Sequence, residues 1–419
     1  LGLLLSIIGI VTYVQRRSLV STPALTWALL LVGWMLLMVP LSVSPSLSWT
    51  TFVDRVIKFM MVAILIGAFV TTPTILRWFL GAWLLAFAKM TQEGVHGIIT
   101  GSLMWENQGI MRLHGPTGSY LHANTFAGTQ LITLPFLYHL YPLASRYLRY
   151  VLIAQAFGVL AIILYCGSRT SYVGFFIWIL VLIAQSKKKW RALVGVAALT
   201  VVVTPFLPQQ YVGRFETVVT QEDKEGASID TRKEILRDAW EIFVEYPVTG
   251  VGPGAFPIVR DRKFGRQQDT HNLYLEVATN LGVVGFVLFV GLALSMVRAL
   301  FRHARMMADQ IERLNKRMAE VAQDQPLLQE LQRHWNDLRV MRATALATVS
   351  FLIIRLANGM FGHDLFEVYW WFALGIVIAL TRMGHIATAK TDVLTQRAAL
   401  DRSAAAVSQQ PQSMRPTTA

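Results

Sequence analysis

The chain holds a single cysteine, Cys166, among 419 residues. That excludes an intrachain disulfide and any metal centre built from a cysteine cluster. Charge is scarce as well: 15% of the residues are Asp, Glu, Lys or Arg, against about 25% in an ordinary globular protein. Apolar residues take their place, at 54% of the chain with a mean hydropathy of +0.46. They come in blocks long enough to cross a bilayer, which excludes a soluble domain. Acid is the scarcer sign, with 25 Asp and Glu against 38 Lys and Arg and a net charge of +13. A nucleic-acid-binding protein would show such an excess. So does a membrane protein, through Lys and Arg in its cytoplasmic loops, and the hydropathy selects that reading, so nucleic acid is not an expected partner. Leu1 stands inside an apolar run, so an upstream piece is expected and no signal peptide can be judged.

Apolar runs bounded by charge or proline give about eleven candidate spans. They lie near 1–14, 22–44, 56–72, 75–91, 122–141, 149–166, 170–185, 191–207, 274–297, 343–361 and 366–381. Arg16 and Arg17, Arg77, Arg146 and Arg149, Lys187 to Lys189 with Arg191, the segment from Arg298 to Arg342, and Arg382 fall at alternate connections. All can be cytoplasmic at once, as the positive-inside rule requires. The first run then travels inward, which implies one further span upstream and a total of about twelve. The expected fold is an all-α polytopic membrane protein. Transmembrane helices fill 1–207 with an outward loop at 92–121, and a large, helical outward loop covers 208–273. A span at 274–297, a cytoplasmic helical insert at 298–342 and two spans within 343–381 follow. Residues 382–419, rich in Ala, Ser, Gln and Thr, read as a disordered cytoplasmic tail.

Basic residues in outward loops need a reason, because those loops are normally poor in them. Arg169 sits in the short turn Cys166-Gly167-Ser168-Arg169, either as an interfacial arginine beside lipid phosphate or as a site that grips an anion bidentately. A helix is expected from about Thr231 to Tyr246, with Thr231 and Glu234 at capping-box spacing and Pro247 and Gly250 ending it. At 100° per residue, Ile235, Leu236, Ala239, Trp240 and Phe243 form its apolar face with Arg232 near the centre, and Arg237 falls on the polar side. An arginine on the packed face requires a partner, whether a structural carboxylate or a substrate. Glycines at 250, 252 and 254 lead to a basic stretch containing Arg260 and Arg266, and then to Asp269-Thr270-His271-Asn272 at the start of a span. His271 is either a structural residue of that helix start or a proton acceptor, since an ordinary histidine is largely neutral at neutral pH. Asn124, in the turn-rich segment before a span, and Arg355, inside a span, are further candidates. An intramembrane arginine is either functional or snorkels to the interface.

With these residues in place, the chain resembles the O-antigen ligase and polymerase family of bacterial glycan-assembly enzymes. The resemblance rests on the Ser168-Arg169 turn, on the Arg232 helix running into Tyr246-Pro247-Val248-Thr249-Gly250-Val251-Gly252, and on His271-Asn272-Leu273-Tyr274-Leu275-Glu276 followed by Asn280-Leu281-Gly282. It spans roughly residues 110–380, Gly118 to Asn124 included. Thr170 and Ser171 stand where the family commonly has glycine or alanine. The resemblance implies a GT-C-like membrane glycosyltransferase of the bacterial inner membrane with its active face in the periplasm, serving lipopolysaccharide or exopolysaccharide assembly. It implies transfer of a glycan from undecaprenyl diphosphate to a hydroxyl on lipid A core, a growing polysaccharide or another acceptor, with inversion and without metal or other cofactor. Arg169 and Arg232 would hold the diphosphate and His271 would activate the acceptor, with Asn124, Arg266, Asn272 and Arg355 as weaker substrate contacts. Within the family, ligase, polymerase and protein glycosylation are alternatives that the residues do not separate. A lipid-linked glycan transporter is the alternative from another class. It would call for internal repeats and polar residues at mid-membrane, whereas no repeat is found and the charge gathers at one face.

Overall fold

The computed structural model describes residues 11, 21–107, 109–186, 188–191, 193–195, 227–321, 325–362 and 364–408. The expected span at 1–14, most of that at 191–207 and the first part of the large loop lie outside them. The first elements start where a hydroxyl residue precedes proline. Thr22 caps α1 (Pro23–Met38), accepting from the Leu25 amide at 3.1 Å, and Ser44 precedes α2 (Pro45–Thr51). Thr72 caps α4 (Pro73–Thr100), its hydroxyl accepting from the Ile75 amide at 3.2 Å. Proline loses nothing at this position, because the first helical N–H has no intrahelical acceptor. Between them a π-helical turn, Phe52–Ile57, runs into α3 (Lys58–Phe69).

Past α4 the chain makes the antiparallel hairpin β1 (Met104–Asn107) and β2 (Ile110–Leu113). This corrects an all-helical expectation at one small place. Helix α5 (Ala123–Leu131) and helix α6 (Leu134–Leu140) divide what reads as one span at 122–141. The pair α7 (Arg146–Cys166) and α8 (Arg169–Gln185) meets at the Gly167-Ser168 turn. Then come α9 (Ala227–Glu245) and the short α10 (Phe256–Phe264). Three long helices follow, α11 (Leu273–Glu320), α12 (Gln325–Asn358) and α13 (Tyr369–Ser408).

Four described helices are long and apolar enough to cross a membrane: α7, α11, α12 and α13; α1 and α8 are shorter apolar helices. The count of about eleven is therefore not reproduced helix by helix. Helix α11 has 48 residues, about 70 Å at 1.5 Å per residue, more than twice the roughly 30 Å hydrocarbon layer. Its excess continues the bundle beyond the span. There Leu300, Met307 and Leu314 of α11, Leu327, Leu331 and Leu338 of α12, and Leu394 and Ala398 of α13 are all buried. His303 pairs with Thr381 at 2.8 Å, and His334 with Thr391 at 2.8 Å. The chain reverses between α11 and α12 just before Pro326. The expectation of a disordered tail from residue 382 is corrected as far as residue 408. Its Ala and Leu positions recur at helical spacing and complete a three-helix bundle with the insert, a partner that composition alone does not reveal.

The connections read as outward gather at one end of the bundle: the C-terminus of α7, the N-termini of α8, α11 and α13, and the C-terminus of α12. The glycine turns after α9 are fitted to a break in α11. Gly282 has φ 66° and ψ −172°, which interrupts the helix ladder. The freed groups find partners: Val251 and Gly252 donate to the Thr279 and Asn280 carbonyls at 2.8 and 2.9 Å, and Val283 donates to the Pro247 carbonyl at 2.8 Å. The Trp34 indole donates to the Leu281 carbonyl at 2.9 Å. A Cβ on Gly282 would stand 2.0 Å from the Val248 oxygen, and one on Gly250 would stand 2.4 Å from the Asn280 carbonyl carbon. Both positions also have positive φ, so glycine is required on two counts.

Candidate functional site

Helix α9 begins at Ala227, so Thr231 lies inside it and the capping-box reading is corrected. The packed face is Ile235, Asp238, Ala239 and Ile242, with Arg232 half-buried on the same side. Leu236, Trp240 and Val244 are exposed instead, Trp240 to 59%. The expected apolar stripe is thus rotated by part of a turn, because α9 packs on the glycine loop, α10 and α11 through Ile235, Ala239 and Ile242 and leaves Leu236, Trp240 and Val244 outward. The separation of Arg232 from the exposed Arg237 holds.

Arg260 is the arginine that pairs structurally. It is fully buried and donates through Nε to Asp238 at 2.9 Å and through Nη1 to Gln268 at 3.1 Å. Arg266 pairs with Glu234 at 2.8 Å on the surface. These contacts tie α10 and the chain after it to α9, which fixes where Thr270-His271-Asn272 enters α11.

His271 has φ 47°, the only positive value of a non-glycine residue among the described residues. Such a conformation is uncommon outside Asn, Asp and His, and it marks functional turns more often than chance. Asn272 then caps α11, its Oδ1 accepting from the Tyr274 and Leu275 amides at 3.0 and 3.1 Å, while its Nδ2 donates to the Met360 carbonyl at 3.3 Å. The side chain expected to touch substrate is engaged in holding the helix start. Leu273 N–H donates to the Gly359 carbonyl at 2.7 Å, and buried Glu276 accepts from the Leu365 amide at 3.0 Å. The loop between α12 and α13 is thereby clamped beside His271.

These constraints enclose a cavity of about 1140 Å³ at the end of the bundle. Its wall includes Arg232, His271, Arg355 and Asn124, four residues drawn from four separate parts of the chain. Arg355 is buried, pairs with Asp364 and lies over the Tyr369 ring, 3.7 Å from its centroid. Arg169, Arg266 and Asn272 do not line the cavity, although Thr170 and Ser171, directly after Arg169, do.

Two wall arginines escaped the sequence reading. Arg112, on β2, is buried; its Nε donates to the Cys166 carbonyl at 2.7 Å, and its Nη atoms donate to the Asn107 and Asn124 side chains. It therefore braces the end of α7 and orients Asn124. Arg55 lies on the π-helical turn and meets Glu367 at 3.4 Å. The signal that selects Arg169, a basic residue in an outward loop, applies equally to both.

Beside them, His114 stacks on Trp105 with ring centroids 3.6 Å apart and bonds the Leu121 carbonyl through Nδ1 at 2.8 Å. Burial, helped by the charge of Arg112, holds its pKa below the usual histidine value. Burial, together with the charge of Glu367, raises that of Tyr120, another wall residue. Four guanidinium groups against two carboxylates, Asp364 and Glu367, leave the wall net positive near the ends of spanning helices, which suits an anionic group at headgroup depth.

A family model described as O-antigen ligase matches residues 154–290. Over those residues the chain is similar to the O-antigen ligase family. The match is narrower than the 110–380 over which the motifs were read, and it contains Arg169, Arg232 and His271. Arg55, Arg112, Asn124 and Arg355 reach the same cavity from outside it. No curated protein matches the chain. The family match and the apolar helices support a membrane enzyme of the ligase or polymerase kind, with lipid-linked glycan and polysaccharide as its substrate classes.

Proposed function

We propose that the cavity transfers a glycan from undecaprenyl diphosphate to an acceptor hydroxyl at the periplasmic face of the bacterial inner membrane. The observation that carries this reading is the meeting of Arg55, Arg112, Arg232 and Arg355 with His271 in one cavity. Its volume, about 1140 Å³, exceeds that of a usual small-molecule pocket, about 300–1,000 Å³, and leaves room for two substrates. The guanidinium groups hold the diphosphate and stabilise the charge it gains as the bond from its oxygen to the anomeric carbon breaks. His271 takes the proton of the acceptor hydroxyl as that oxygen bonds to the same carbon from the opposite face, which inverts the centre. The lipid diphosphate leaves as an anion, so neither a protonating acid nor a metal is part of this step. Arg169, next to the wall at the α8 N-terminus, adds positive charge at the cavity mouth.

The test is transfer by purified protein in nanodiscs, given a lipid-diphosphate glycan and separate acceptors. Arg232→Ala and His271→Ala should each lose about 10²-fold or more in rate. Parent rates in both would reject the proposal. The acceptor that is consumed, a core oligosaccharide or a second lipid-linked chain, distinguishes ligase from polymerase.

A further inference from the structure

A second cavity, of about 530 Å³, opens at the other end of the bundle between α6, α7, α8 and α12. Its interior is apolar, formed by side chains such as Leu134, Leu137, Leu152 and Leu346. Arg339 and Arg342 stand on its α12 wall, and neither forms an ion pair with a described residue. Arg339 rests on the Trp335 ring, 4.4 Å from its centroid, which holds the guanidinium in place. Trp178 and His139 also belong to the wall, but their ring nitrogens Nε1 and Nε2 are buried beneath its surface, and the His139 side chain meets Gln185. Tyr138 and Ile153, on the cavity rim, are exposed on the surface that faces lipid.

We propose that this cavity binds one anionic phospholipid from the leaflet opposite the candidate site. Its phosphate sits between Arg339 and Arg342, and its acyl chains run along the leucines and out past Ile153. The ligand must be amphipathic, because the arginines border an apolar chamber and not a polar one. It must enter sideways, because that is where the rim is exposed. The carrier lipid fits less well, because its diphosphate belongs at the other end of the bundle. Charge complementarity therefore selects a membrane phospholipid with a net negative headgroup.

Native mass spectrometry of the purified, delipidated full chain tests this, with phosphatidylglycerol and phosphatidylcholine added in turn. The parent should retain one phosphatidylglycerol about tenfold or more tightly than phosphatidylcholine. Arg339→Gln with Arg342→Gln should abolish that preference, and the corresponding lysine pair should keep part of it. In nanodiscs, a phosphatidylglycerol with a photoreactive acyl chain should label residues 134–156. Equal retention of the two lipids, equal selectivity in the glutamine pair, or displacement of the lipid by inorganic phosphate alone would each overturn the proposal. Thermal unfolding of every variant, followed by tryptophan fluorescence, separates loss of the lipid from loss of the fold.

Discussion

The placement of Arg232 depends on a buried ion pair it does not join. Arg260 is fully buried and the Asp238 side chain is 8% exposed, and they meet at 2.9 Å between α9 and α10. In Asp238→Asn the guanidinium stays buried without its counter-charge, a change that costs about 3–5 kcal/mol. The Arg260 Nη2 already lacks a partner, so little remains to absorb the loss. The small cluster that joins α9 and α10, including Ala239, Ile242, Phe256 and Val259, is separate from the main core and should open locally. At about 1.4 kcal/mol per tenfold, 3 kcal/mol raises the open population about a hundredfold. Trypsin reads this at Lys233, Arg237 and Lys263, where cleavage follows the open population as long as reclosing outpaces it. Cleavage should therefore accelerate about 10²-fold, and transfer activity should fall with it. The double variant Asp238→Leu with Arg260→Met removes both charges and should return cleavage to within about tenfold of the parent, since apolar replacement of a whole buried pair is often neutral. Unchanged cleavage in Asp238→Asn, or a double variant as labile as the single one, would refute the reasoning.

Arg112→Lys retains charge but not the fork that spans the Cys166 carbonyl and two asparagines, so transfer should fall at least about tenfold in the nanodisc assay while expression is kept. Trp240→Glu places a charge on the exposed stripe of α9, whose end at Pro247 bonds the spanning part of α11; activity in nanodiscs should drop more than stability in detergent, and equal effects would deny the stripe a lipid contact. His114 has a folded pKa below its unfolded value of about 6.5, so the neutral ring is the form that folding favours. Its contribution is present above that unfolded value and lost as the pH falls through the folded one. The parent's thermal midpoint should therefore fall on acidification below about pH 6.5, and His114→Gln should flatten that part of the profile.

The four described helices long enough to span were legible because a single property, apolar length, determines them. Where two properties compete, the sequence says less. The segment 122–141 reads as one span yet breaks near Thr133 and Pro135, and residues 382–408 look unstructured until the insert supplies the surface they pack on. In α9 the phase of the apolar residues points to Leu236 and Trp240 as the buried side, but close packing against a glycine loop favours Ala239 and Ile242. Arg232 was legible as charge out of place, in a loop where positive residues are disfavoured, and His271 as a titratable residue at the start of a span. Arg112 and Arg55 carried the same mark. What the sequence did not reveal was their convergence, because the hairpin that lifts Arg112 and the π-helical turn that presents Arg55 leave no periodic trace. The roles of Asn272 and Arg266 depended on partners distant in sequence, Met360 and Glu234 with Asp238.

The irregular backbone of the described chain gathers at the end that holds the cavity. The π-helical turn at Arg55, the left-handed His271, the break at Gly282 and the positive-φ glycines 250, 252 and 254 all lie there. Irregular backbone at membrane depth is costly unless protein groups satisfy its hydrogen bonds, and around Gly282 four such groups are satisfied by one loop and one tryptophan. Straight helices would close this end with apolar side chains. The π-helical turn and the left-handed His271 bring an arginine and a histidine to one space, and the hydrogen bonds around Gly282 fix the loop behind it. On the proposed reading, a diphosphate entering it would meet donors already oriented, so little of its binding energy would be spent on organising them. The same reasoning explains why the motif glycines and the charged residues are interleaved along the chain: the first set bends the backbone where the second must point.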